Sequence, residues 1–134
     1  MKGLADTGFL VAFVSRNDRH HEWAVSIAEQ QAEPFLTCES VLSETAFHLG
    51  RSANALALVD HGLVSVAFNC SEHLPQLEAL AKRYADRKPD LADLCLIRMS
   101  ELHLKHRVIT IDSDFRIYRR NKRDTIPVIC PPDV

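Results

Sequence analysis

Acids in apolar company are the first chemistry this chain offers. Asp6 ends the short run Gly3-Leu4-Ala5, and Glu44 sits near Val41, Leu42 and Phe47 in SVLSETAF. Asp90 and Asp93 lie three apart in KPDLADLCLI, and Asp112 and Asp114 close the run VITIDSDF. A carboxylate on an apolar face is costly unless it is paired or binds a cation. Two unit charges ~4 Å apart repel by roughly 4 kcal/mol at an effective dielectric near ~20. If the fold gathers Asp6, Glu44, Asp93 and Asp112, that repulsion threatens a domain stabilised by only about 5–15 kcal/mol. Protonation is one remedy, and a divalent cation is the simpler one. Oxygen-only ligands favour Mg²⁺ or Mn²⁺ over zinc. Such a cluster activates water and stabilises the leaving oxygen of a phosphodiester.

Each acid also has a plainer reading. Asp90 suits the cap or first turn of a helix, where it complements the dipole. Asp114 suits a turn, and Glu44 taken alone suits a surface. Asp93, one turn into its helix and followed by Leu94, Leu96 and Ile97, is less well explained by capping. The joint pattern says more than any member of it.

The elements that must position these acids alternate. Gly3 to Ala5, Pro34 to Thr37, Leu63 to Val66, Arg107 to Ile111 and Ile126 to Ile129 read as strands, and Pro127 marks the last as an edge. Thr7 to Val14, His20 to Gln31, Ser40 to Leu49, Ser52 to Asp60, Leu74 to Ala85 and Pro89 to about Leu104 read as helices. Asp18 and Ser71 are the expected caps of the second and fifth, Gly62 stops the fourth, and Pro89 opens the last. Strands alternating with helices predict an α/β fold around a mostly parallel sheet. Ligands of such sheets bind beyond the carboxyl ends of the strands. Asp6 and Asp112 should therefore share one rim.

The 134 residues, 46% of them apolar, suit a single domain over residues 1–134. A net charge of -2, from 16 basic and 18 acidic residues, does not announce a whole-surface nucleic-acid binder. The N-terminal residues lack the pattern of a signal peptide, and no apolar run is long enough to span a membrane, so a cytoplasmic location is expected. Cys38, Cys70, Cys95 and Cys130 include no close pair, and the 7 histidines show no tight ligand spacing. Core thiols and surface imidazoles are expected rather than zinc. One local basic strip stands out. Arg116, Arg119, Arg120, Lys122 and Arg123 follow the last acids directly. With Tyr118 to stack a base, the strip suits RNA phosphates, or an acidic partner tail. Trp23, Phe47 and the helix from Ala53 to Val59 suit either core packing or a partner surface.

Four pieces, LADTGFLVAF (4–13), SVLSETAF (40–47), KPDLADLCLI (88–97) and VITIDSDFRIYRR (108–120), resemble the PIN-domain ribonucleases in order and spacing. The likeness is greatest to VapC-type toxins of toxin–antitoxin pairs and covers almost the whole chain. It implies a three-layer α/β/α sandwich and Mg²⁺-dependent endoribonuclease activity, with Mn²⁺ as a substitute. It also implies a homodimer inhibited by a small antitoxin. By resemblance, Asp6, Glu44, Asp93 and Asp112 match the metal-binding acids, Thr110 matches the small hydroxyl residue before the last acid, and Asp90 and Asp114 are accessory acids. Gly8 departs from the Asn or Ser the family often carries after Asp-Thr, which removes a polar contact to the metal's water shell. Two other readings stay open: the same fold in RNA processing without an antitoxin, and a non-catalytic module that binds an ion or RNA. A phosphatase-like hydrolase would want Asp-x-Asp after the first strand, and Asp6-Thr7-Gly8 does not supply it.

Overall fold

The computed structural model describes residues 1–134. Its centre is a five-stranded parallel sheet of β1 (Gly3–Ala5), β2 (Phe35–Thr37), β3 (Val64–Val66), β4 (Arg107–Ile109) and β7 (Val128–Ile129), in the order β3-β2-β1-β4-β7. Leu4 faces Leu36 on one side and Val108 on the other. β1 is buried on both faces, as parallel strands covered by helices must be.

Helices α1 (Thr7–Val14), α2 (His21–Glu29), α3 (Glu39–Leu49) and α4 (Ser52–Asp60) pack with one another, and α5 (Leu74–Arg83) packs with α6 (Leu91–Leu102). Together they flank the sheet as an α/β sandwich. α6 lies deepest. Seven of its residues, from Ala92 to Ser100, are buried, and it touches β1, β4 and α3. The core runs through Phe9, Phe35, Leu96, Met99, Ile109 and Phe115.

The chain builds outward from β1 through β2 to β3. It then returns to lay β4 on the other side of β1. That reversal opens a crevice beyond the carboxyl ends of β1 and β4. It is the feature of the fold that positions the site.

Several local expectations are corrected. Asp18 accepts the His20 N–H at 2.9 Å and closes a turn, while α2 begins without a side-chain cap. Ser71 is itself held by Asn69, which caps a short 3₁₀ turn (Cys70–His73) ahead of α5. Pro89 stands outside α6, because Asp90 takes the cap position and receives the Asp93 N–H at 2.8 Å. β4 stops at Ile109 rather than Ile111, since the next residues bend into a 3₁₀ turn (Ser113–Arg116) capped by Asp112. The basic strip holds a hairpin that periodicity does not reveal. Its β5 (Arg119–Arg120) pairs antiparallel with β6 (Asp124–Thr125). Tyr118 is fully buried between Phe115 and Tyr84 and offers no face to a base. Trp23 packs edge-on against Phe9, its ring centre 5.9 Å away. No helix is long and apolar enough to cross a membrane.

Candidate active site

The crevice at the switch point is lined by acids from several elements. Asp6 leaves β1 as the N-cap of α1 and is buried, with 7% of its surface exposed. One carboxylate oxygen accepts the Thr7 N–H at 2.7 Å. The other accepts the Thr110 hydroxyl at 2.6 Å. Thr110, fully buried after β4, also receives the Asp112 N–H on its Oγ1 at 2.9 Å. One hydroxyl therefore ties the ends of two neighbouring strands together and fixes the acid at each. Asp112 in turn accepts the Asp114 N–H at 2.9 Å.

Two further acids come from helices. Glu44 projects from α3 and accepts the Thr7 hydroxyl at 3.2 Å. Asp90 and Asp93 stand at the first turn of α6. Asp90 lies close enough to Glu44 to raise its proton affinity. The cleft between these groups measures about 330 Å³ and is lined by six acids: Asp6, Asp18, Glu44, Asp90, Asp93 and Asp112.

Crowding shows in their proton affinities. Burial first, eased by the Thr110 and Thr7 hydrogen bonds and then reinforced by the charges of Asp112 and Asp90, raises Asp6 to about 6. Burial and the bond and charge of Asp90 raise Glu44 to about 7. Burial followed by the charges of Asp90, Asp6 and Asp112 raises Asp93 to about 8. Asp112 is raised too, burial foremost. Each carboxyl disfavours its anion because its neighbours are anionic or apolar. A hard divalent cation reverses that preference, and an all-oxygen donor set suits Mg²⁺ or Mn²⁺. The residues therefore fit such an ion by chemistry and charge. No three His, Cys, Asp or Glu side chains stand in ready-made ligating geometry. Their oxygens are engaged by Thr7, Thr110 and backbone N–H groups.

The remaining expected residues do not line the cleft, although, beyond burial, the charge of Asp114 still raises Asp112. Asp114 is outside the cleft and pairs with Arg87 at 3.4 Å. Arg119 donates to the carbonyls of Arg116, Ile117 and Tyr118. Arg120 donates to the Ser100 carbonyl at 3.1 Å, near the end of α6 far from Asp93. Arg116, Lys122 and Arg123 are exposed, and Arg116 reaches the Val134 carbonyl. The cleft also contains residues that sequence reasoning passes over: Thr7, Asp18, His48 and Ile111. Thr7 is visible as the neighbour of Asp6, and His48 as the residue one helical turn beyond Glu44. Asp18 has no signal beyond its turn propensity. A larger apolar cleft of about 530 Å³ lies between α1, α2 and α4, around Phe13, Val25, Ala57 and Leu63, away from the acids.

No curated protein matches the chain. The family model of the PIN domain matches residues 4–121, which span all of these acids. That match, laid on a parallel sheet whose switch point gathers the acids, makes the chain a member of the PIN-domain family, a nuclease fold whose members are generally metal-dependent and act on RNA.

Proposed function

We propose that the protein is a Mg²⁺-dependent endoribonuclease and the toxin of a type II toxin–antitoxin pair of the VapC kind, with the chain acting as one nuclease unit. The observation that carries this reading is the acid cleft itself. Buried Asp6, held by Thr110, faces Asp93, Asp112 and Glu44 across a space open to a phosphate.

Asp6, Asp93 and Asp112 are the residues we assign to the cation, with Glu44 and Asp90 at its edge. When bound, Mg²⁺ supplies charge that draws the carboxylates together, makes water more acidic and stabilises the leaving oxygen. The chain does the rest by position. Thr110 and the Thr7 N–H orient the two oxygens of Asp6, so that little reorganisation is needed when charge develops. Glu44, anchored by the Thr7 hydroxyl, lies at the cleft wall to receive the proton of the attacking water at Oε1 or Oε2. A second copy and a small antitoxin are the protein partners this reading expects.

Purified, antitoxin-free protein incubated with total cellular RNA tests it. Mg²⁺ or Mn²⁺ should yield discrete fragments, and EDTA should abolish them. Asp6→Asn and Asp93→Asn should remain folded and cleave at least roughly 100-fold more slowly, as loss of a metal ligand or its orienting shell does. Expression in cells should arrest growth only with the acids intact. RNA that stays whole in every condition, with protein shown to be folded, would overturn the reading.

A further inference from the structure

The last turn of α3 presents an unusual surface beside the acids. Phe47 and His48 lie three and four residues beyond Glu44, so both flank its position one turn along the helix. His48 lines the acid cleft and is the one lining residue able to carry positive charge. Phe47 is 81% exposed, more than any other large apolar side chain of the chain. Its ring meets the His48 ring edge-on, with centres 5.5 Å apart and planes at 76°. On its other side Phe47 borders a shallow cleft shared with Ser43, Gly50, Arg51 and Ser52. Arg51 is exposed and enters no ion pair. Gly50, in the left-handed conformation at φ 75°, ends α3 and lets the chain turn so that Arg51 follows directly.

The order from the acids outward is imidazole, aromatic face, guanidinium. Single-stranded RNA is held by this combination, with bases stacked on aromatic rings and cations tracking the backbone. A protein contact centred on Phe47 would want an apolar surround, and the neighbours in its cleft are small or polar. We infer that Phe47, His48 and Arg51 form a subsite for the nucleotide flanking the cleaved bond. In it an unpaired base stacks on Phe47, while His48 and Arg51 contact phosphate oxygens. The inference rests on the reading of the acid cleft as a ribonuclease site. It places substrate contacts on α3 rather than on the basic hairpin.

Binding rather than cleavage tests it. The probe is fluorescein-labelled single-stranded oligoadenylate, and the protein is the Asp6→Asn variant in Mg²⁺, so that cleavage is slow compared with the binding measurement. Adding Phe47→Ala should weaken binding roughly 10-fold, and Phe47→Tyr in its place should restore it, as expected for stacking of one base. An abasic nucleotide placed at one position of the probe should remove the difference that Phe47→Ala makes. Arg51→Ala should lower the slope of log affinity against log salt by about 0.7. Unchanged affinity in both Phe47→Ala and His48→Ala, with their melting temperatures unchanged, overturns the subsite. So does a change in oligomeric state by light scattering in Phe47→Ala without a change in RNA affinity, which would give Phe47 to a contact between copies. Either result leaves the cleavage of cellular RNA by the unmodified protein intact. Absence of that cleavage would defeat the nuclease reading separately.

Discussion

Thr110 shows how much one hydroxyl can do. It is fully buried, donates to Asp6 and accepts from the Asp112 backbone. Thr110→Val keeps the shape and removes both bonds. It leaves a buried carboxylate oxygen and a backbone N–H short of a partner, which should cost about 1–3 kcal/mol in urea denaturation. Because the Thr110 hydrogen bond lowers the proton affinity of Asp6, its loss should also make Asp6 harder to ionise. Cleavage should fall roughly 10-fold or more, as it does when an orienting partner of a metal ligand is lost. Thr110→Ser retains the donor and the acceptor and should stay close to the parent in both assays. A Val variant with full stability and full activity would remove Thr110 from the mechanism.

At the scale of elements, the junction of α1 with the end of β4 sets the floor of the cleft. Gly8 stands where a side chain would collide with Ile111. A Cβ there would lie 2.7 Å from Ile111 Cδ1 and closer still to Cγ1. The Ile111 side chain thus fills the space that a side chain at position 8 would take, and both residues line the cleft. Gly8→Ser should therefore cost about 1–3 kcal/mol by overpacking. Combining it with Ile111→Ala should recover most of that loss, a coupling that a double-mutant cycle in urea measures directly. Additive losses from the two changes would show that the collision is relieved elsewhere. The hairpin β5–β6 belongs to the same scale. Its two-residue strands are too short for periodicity to register. Arg119 and Arg120 serve backbone carbonyls there, and the Asn121 N–H is held by Glu101 at 2.7 Å.

For the whole molecule, the gathered acids make stability depend on pH and on divalent cations. Asp6, Glu44 and Asp93 bind protons more tightly in the folded chain, up to about 6, 7 and 8 respectively. Below about pH 4 both states hold these protons and the acids do not oppose folding. As pH rises, the unfolded chain ionises first, so stability contributed by the bound protons is lost between about pH 4 and about pH 8. In EDTA the melting temperature should fall across that window, and Asp93→Asn should flatten the decline and melt higher at its alkaline end. Mg²⁺ should raise the melting temperature of the parent protein more at about pH 8 than at about pH 5, through preferential binding to the folded state. A parent protein whose melting is indifferent to both Mg²⁺ and Asp93→Asn at the alkaline end would show that the acids do not share a common field.

Local rules are enough for the alternation of elements. Apolar runs of strand length, helical spacing in SVLSETAF and KPDLADLCLI, and acids at the ends of those runs all follow from residues close in sequence. They also single out Asp6, Glu44, Asp93 and Asp112, because a carboxylate beside apolar residues is improbable unless something compensates it. Caps are only partly legible: Asp90 takes the cap position that its residue type suggests while Pro89 stays outside the helix, and Asn69 rather than Ser71 caps the turn ahead of α5. The Thr110 bridge joins residues 104 apart in the chain, and no local pattern encodes such a contact. Nor could spacing tell that Tyr118 is swallowed by the core, that Arg120 is tied to Ser100, or that Phe47 is left exposed. Those outcomes depend on which strand ends the topological reversal brings together, and on which side chains the packed helices then leave exposed. Residue types determined what chemistry the protein could hold; the long-range contacts of the fold decided where it sits and what surrounds it.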